Sequence, residues 1–191
     1  MSTATPTDRQ EQTMTGATKF TTPSDREIVS ERVFDAPRER VFAAFTDPEL
    51  IPRWWGPRRM TTTVDEMDVR PGGRWRFLAR DPDGREQGFR GIYREVTPPE
   101  RIVQTFEWEG MPGHVIVDTV SFEDLGGQTK LTTTSLFHTT EERDGMLSSG
   151  METGLGESHD RLAELLAQIV STERRARPEL CLRRRRSARP C

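Results

Sequence analysis

Apolar and polar positions alternate with two different periods along this chain, and the change of period divides it. Glu27-Ile-Val-Ser-Glu-Arg-Val-Phe34 is β-branched and bounded by polar residues, which predicts a strand. Two short helices follow. Val41, Phe42 and Phe45 recur at helical spacing, predicting a helix over 36–46 capped by Asp35, and Asp47-Pro48 supplies a second start. Pro52 and Gly56-Pro57 are expected to keep that second helix brief. From Thr61 the period becomes two. The runs 61–70, 74–80, 85–96, 101–108, 114–123 and 129–138 are separated by short Pro, Gly and Asp segments, and such links force antiparallel neighbours. Strand alternation places Trp75 and Phe77 on one face, and Ile102, Phe106 and Trp108 on one face.

The helical period returns at the end of the domain. Thr139 and Glu142 have capping-box spacing, and Leu147, Met151, Leu155, Leu162, Leu165, Leu166 and Ile169 form a stripe at steps of three and four. One long helix is therefore expected, laid against the concave face of the sheet because nothing else in the chain is long enough to cover it. The fold class is α+β: a curved antiparallel sheet of seven strands wrapped around a C-terminal helix, with two short helices after strand 1.

Outside this pattern the chain changes character. Thirteen of its fourteen Phe, Trp and Tyr residues lie between 25 and 170, with only Phe20 outside. Residues 1–24 are rich in Ser, Thr, Gln and Pro, which predicts a disordered leader, and 171–191 predicts a disordered basic tail. A net charge of −3 conceals this division. Residues 172–191 hold eight arginines against Glu173 and Glu179, whereas 1–171 holds 20 basic and 29 acidic side chains. An acidic body repels phosphate backbones, so nucleic acid is not an expected partner and could engage only the tail.

Composition excludes several classes. No run approaches the roughly 18 uninterrupted apolar residues of a spanning helix, and the first residues lack the apolar core of a secretory signal, so membrane insertion is not expected and the cytoplasm is. The only cysteines, Cys181 and Cys191, lie in the tail and supply neither a disulfide framework nor a nucleophile within the domain. Phosphate-binding, dinucleotide-binding, nucleophile-elbow and zinc-helix motifs are all missing. His114, His138 and His159 are scattered, each expected to be exposed or singly hydrogen-bonded, so neither metal nor cofactor is expected. Among strand carboxylates Glu66, Asp68, Glu107 and Asp118, the last shares strand parity with Ile116, Val120 and Phe122. If that face is buried, Asp118 needs a partner or water in a cavity.

The aromatic set carries more information. Trp54, Trp55, Trp75, Phe77, Phe89, Tyr93, Phe106 and Trp108 all fall where sheet and helices converge. Gly145, Gly150, Gly154 and Gly156 in the closing helix each cost about 1 kcal/mol relative to alanine, which asks for a packing or functional reason. Aromatic walls under a glycine-bearing helix describe either close packing or a small-molecule pocket.

Several runs resemble a known family. Val33-Phe-Asp-Ala-Pro-Arg-Glu-Arg-Val-Phe42, Thr46-Asp-Pro-Glu-Leu50 with Arg53-Trp-Trp-Gly-Pro57, Asp68-Val-Arg-Pro-Gly-Gly-Arg-Trp75, Phe89-Arg-Gly-Ile-Tyr-Arg-Glu-Val96 and Gly150-Met-Glu-Thr-Gly154 are similar to the Hsp90 ATPase activator homologue (AHSA1-like) family of the SRPBCC, or START/Bet v 1-like, superfamily. The resemblance spans about 27–168. It implies a helix-grip fold around a hydrophobic cavity and, from the superfamily, the binding of lipids, sterols or polyketides, with chemistry in some branches. The expected partner is thus a hydrophobic small molecule, bound without covalent chemistry. Trp54 and Trp55 would guard one end, Trp75, Phe77, Phe89, Tyr93, Phe106 and Trp108 would line the walls, and Met151 and Leu155 the helix side. Two alternatives stay open: a cyclase or hydrolase using a cavity carboxylate or Tyr93, and a chaperone-directed module of the stress response, motivated by the family name alone. A homodimer is left open.

Overall fold

A computed structural model describes the backbone of residues 16–186 and the side chains of 16–172. Eight strands form one antiparallel sheet: β1 (Lys19–Thr21), β2 (Glu27–Phe34), β3 (Thr61–Met67), β4 (Arg74–Arg80), β5 (Glu86–Thr97), β6 (Arg101–Trp108), β7 (Ile116–Asp124) and β8 (Thr129–Leu136). Their spatial order is β1-β2-β8-β7-β6-β5-β4-β3. Strands β3 to β8 are a meander, as their short turns require, and β2 returns to pair with β8 from Glu27↔Leu136 to Phe34↔Thr129. The short helices α1 (Arg38–Thr46) and α2 (Ile51–Trp54) fill the excursion between β2 and β3.

Seven strands correspond to the predicted runs. The eighth, β1, falls inside the segment read as a disordered leader. A three-residue edge strand needs little apolar content, because its stability comes from backbone pairing with Val29, Ser30 and Glu31 of β2. Phe20 packs beside Ile28, and Thr18 Oγ1 lies 2.9 Å from His159 Nδ1. Residues 1–15 lie outside the described residues.

The expected single closing helix is two helices, α3 (Thr140–Ser148) and α4 (Met151–Arg186). Thr139 caps α3 by accepting from the Glu142 amide at 3.2 Å, and Glu142 reaches back to the His138 amide at 3.1 Å. The break falls at Gly150, whose φ of 79° is a left-handed conformation that ends a helix. Helix α4 continues to Arg186, through most of the segment read as a disordered tail. Arg, Glu, Leu and Ala are strong helix formers, so a helix already anchored in the core propagates without a further apolar stripe. Residues 187–191 lie outside the described residues.

Other capping expectations shift slightly. Pro37 rather than Asp35 precedes α1. Asp47 Oδ1 accepts from the Glu49 amide at 2.9 Å and so closes a turn ahead of α2, while Pro52 sits in the first turn of α2 instead of ending it. Proline is tolerated there because the first-turn amides lack intrahelical partners anyway.

Two apolar clusters lie between the sheet and α4. The larger joins Phe34, Val41, Phe42, Trp54, Trp75, Phe77, Ile102, Val120, Phe122 and Leu131 to Leu162, Leu165 and Leu166 of α4. The smaller, of Ile28, Ile116 and Phe137, lies under Met146, Leu147 and Met151. A sheet gripping one long helix, with short helices between its first and second long strands, is a helix-grip fold.

Candidate functional site

Antiparallel registry orders the side chains on the inner face into rows across the sheet, since directly opposed residues project from the same side. Phe77, Phe89 and Trp108 are opposed in one row. Trp75 opposes Gly91, and Phe106 opposes Ile116. Tyr93, Gln104, Asp118 and Ser135 form the next row, across β5, β6, β7 and β8. Beyond it Val96, Ile102, Val120 and Thr133 are opposed.

A groove of about 410 Å³ opens where α3 crosses this sheet. Phe106, Trp108, Ile116 and Phe137 form its floor, Met111 and His114 of the β6–β7 turn one wall, and Glu141, Glu142, Gly145, Met146 and Ser149 of α3 the other. No residue of α3 is buried. Met146 and Leu147 pack on the smaller cluster, and polar contacts add to this: the Thr139 cap, an Arg143 hydrogen bond to the Ser24 carbonyl at 3.1 Å, and a 2.7 Å contact between His114 Nδ1 and Glu142 Oε1. That histidine contact, foremost, draws the Glu142 carboxyl below the usual range.

The predicted aromatic residues separate into two groups. Phe106 and Trp108 line the groove, and Trp108 retains 37% of its surface exposed. Trp55, Trp75, Phe77 and Phe89 pack into one another, with centroid distances of 5.4 Å (Trp55–Phe77), 5.1 Å (Trp55–Phe89) and 4.9 Å (Trp75–Phe77), and reach Phe106 at 5.9 Å from Trp75 and 5.7 Å from Phe89. Trp54 is a core residue and not a portal: its indole donates to the Ala44 carbonyl at 2.9 Å and its ring stacks on Phe45 at 4.6 Å. Its neighbour stays near α4 because Arg161 donates to the Gly56 carbonyl at 2.8 Å. Met151 packs on the smaller cluster, and Leu155 is half-buried on α4. Met111, Ile116, Phe137 and Met146 also line the groove, and no local sequence signal marks them together. Inner-face parity marked Ile116, but only the break at Gly150 turns α3 and Met146 over it.

Of the glycines on the closing helices, Gly150 makes the break. A side-chain carbon built at Gly145, Gly154 or Gly156 meets nothing within 4 Å, so these mark space and not close packing. The close approach is at Gly91, where such a carbon would collide with the Thr105 carbonyl and the Trp75 indole.

Two ionisable groups on the inner side stand out, the part-exposed Asp118 and the buried His159. Asp118 accepts from Ser135 Oγ at 2.6 Å, and desolvation raises its carboxyl from 3.8 to about 6, the Ser135 bond opposing this. Burial lowers His159 from 6.5 to about 4. His159 is thus held neutral, 2% exposed, edge-on to Phe34 at 5.8 Å, which fits the singly bonded histidine expected. Burial also pushes the Tyr93 phenol up. Among the described residues no group of three or more His, Cys, Asp or Glu could hold a metal ion, and no helix is long and apolar enough to cross a membrane.

The sheet, the gripped helix α4 and the short helices after the first long strand define a START/Bet v 1-like protein. Its sequence agrees: residues 35–167 match the family described as activator of Hsp90 ATPase homolog 1-like protein, and the chain belongs to that family. A protein from Rhodobacter sphaeroides is similar in structure at 27% identity, covering 80% of this chain and 99% of that one with a TM-score of 0.76. A family protein from Silicibacter pomeroyi superposes at 24% identity over 74% of this chain and 98% of its own, TM-score 0.64. DynU16, a putative protein in the dynemicin biosynthetic locus, shares the fold at 19% identity over 76% of this chain and 48% of its own, TM-score 0.56. No curated protein sequence matches the chain.

Proposed function

We propose that the protein binds a hydrophobic small molecule, lipid-like or aromatic, in the groove between α3 and the sheet, without covalent chemistry. The observation that carries this reading is the groove of about 410 Å³ floored by Phe106, Trp108, Ile116 and Phe137. Its size suits a small apolar ligand, and Gly145 of α3 borders it without a side chain. Affinity would come mainly from apolar burial, at about 25 cal/mol per Å². Trp108 sits in the groove as a built-in reporter. Titration with sterols, long-chain alcohols and polycyclic aromatics should shift its emission, and native mass spectrometry should find a small molecule carried through purification. Emission that stays flat across the panel, with no co-purified mass, sinks the reading.

A second reading, a cyclase or hydrolase using the same interior, is favoured by one observation: Tyr93 and Asp118 occupy the same cross-strand row, separated by Gln104. Asp118 lies near the range a general acid or base needs. Turnover of a polyketide-like substrate that disappears in both Asp118→Asn and Tyr93→Phe would establish it. A chaperone-directed role rests on the family description alone, and an unchanged chaperone ATPase rate on addition of this protein removes it.

A further inference from the structure

The inner face is not uniformly apolar. One cross-strand row in the middle of the sheet carries Gln104, Asp118 and Ser135 between Tyr93, which belongs to the larger apolar cluster, and Ile28, which belongs to the smaller one. Asp118 and Gln104 are the next inner-face residues after Ile116 and Phe106 on the same two strands, so they lie about 7 Å beyond the floor of the groove. Gln104, Asp118 and Ser135 each keep part of their surface accessible, whereas Ile102 and Val120, one step further along, are buried.

The row is also short of partners. Asp118 has one side-chain hydrogen bond, from Ser135, and forms no ion pair among the described residues. Tyr93 is 2% exposed, and its hydroxyl makes no hydrogen bond among the described residues. Ser30 Oγ, on β2 one row further along opposite Thr133, is buried without a hydrogen-bond partner among the described residues. Buried polar groups are nearly always paired, and the spare hydrogen-bonding capacity of Tyr93 and Ser30, next to the part-accessible Gln104 and Asp118, is what a ligand or water would complete.

We propose that this row is the polar end of the binding site and selects apolar ligands whose polar group donates hydrogen bonds or carries positive charge, an alcohol, phenol or amine, against those ending in a carboxylate. The inference rests on the binding reading above and specifies its ligand class. A carboxylate carried to the same depth would face Asp118, whose one side-chain partner is Ser135, and the inner-face Arg32 is already paired with Asp160, whereas a hydroxyl can donate to Asp118 and accept from Tyr93 or Gln104. An ammonium gains a direct ion pair.

Three probes with one apolar body test it by isothermal titration calorimetry on the full chain: 2-naphthylmethanol, 2-naphthylmethylammonium and 2-naphthoate. The wild-type protein should bind the alcohol and the ammonium at least about tenfold more tightly than the carboxylate, and Asp118→Asn should reduce the ammonium-to-carboxylate ratio to within about threefold. The wild-type ranking tests the proposal without any variant. Equal binding of all three overturns the inference and leaves the hydrophobic binding reading standing, as does a ranking that Asp118→Asn leaves unchanged. Binding of none overturns both.

Discussion

Replacing Asp118 by asparagine should change the pH dependence of stability in a direction set by its surroundings. Desolvation holds the folded-state carboxyl at about 6 against an ordinary 3.8. The folded protein therefore binds this proton more tightly than the unfolded chain does. The stabilisation this provides is complete below pH 3.8 and is lost as pH rises through about 6. At about 1.4 kcal/mol per tenfold difference in proton affinity, ionising Asp118 in place costs about 3 kcal/mol. Water reaching its part-exposed surface screens some of that, so about 2 to 3 kcal/mol is expected at neutral pH. His159 opposes it. With a folded-state value lowered from 6.5 to about 4, its contribution is complete above pH 6.5 and is lost as pH falls through about 4. The two slopes cancel between pH 4 and 6 in the natural protein, so only a difference exposes either. Urea denaturation of the natural protein and Asp118→Asn at several pH values between 4 and 7.5 should show the variant gaining about 2 to 3 kcal/mol relative to the natural protein as pH rises. A difference that stays constant within about 0.5 kcal/mol, or runs the other way, refutes the placement of this carboxyl in the interior.

Further perturbations follow from the same geometry. Gly145→Leu fills the groove from the α3 side, where nothing lies within 4 Å of the added carbon, and should abolish ligand-induced Trp108 emission changes while leaving the melting temperature equal or higher. Gly91→Ala meets the Thr105 carbonyl and Trp75 indole and should destabilise by about 1 to 3 kcal/mol in chemical denaturation. Gly150→Ala forces a side chain into the φ of 79° between α3 and α4, for an expected cost of about 1 to 2 kcal/mol by the same measurement. Leu162→Ala, fully buried where α4 meets the larger cluster, should cost about 2 to 5 kcal/mol and is the reference for a purely structural loss.

The family and architecture could be read along the chain because they rest on local regularities. Period-two runs with short turns require an antiparallel meander, and the observed β4 and β6 have the predicted bounds. The inward parity of Asp118 with Ile116, Val120 and Phe122 was likewise legible, since alternation on a strand is fixed by backbone geometry. At the two ends composition reports whether a segment can fold alone, not whether a neighbour will pair with it. Strand β1 borrows its stability from β2, and α4 extends from an anchored core. The aromatic set was recognised as a group, yet its division was not, because packing and lining use the same residues. Only registry across strands and the turn at Gly150 decide that Trp55, Trp75, Phe77 and Phe89 fill one another's surfaces while Phe106 and Trp108 border open space. The polar row is likewise a tertiary fact. Tyr93, Gln104, Asp118 and Ser135 belong to four strands, and nothing local to any of them sets the register that aligns them. By itself the sequence determined the periods, the turns and the identity of the inward side chains, all properties of neighbouring residues. The tertiary structure decided which inward side chains meet one another and which meet empty space, because that depends on the path of helices that are distant along the chain.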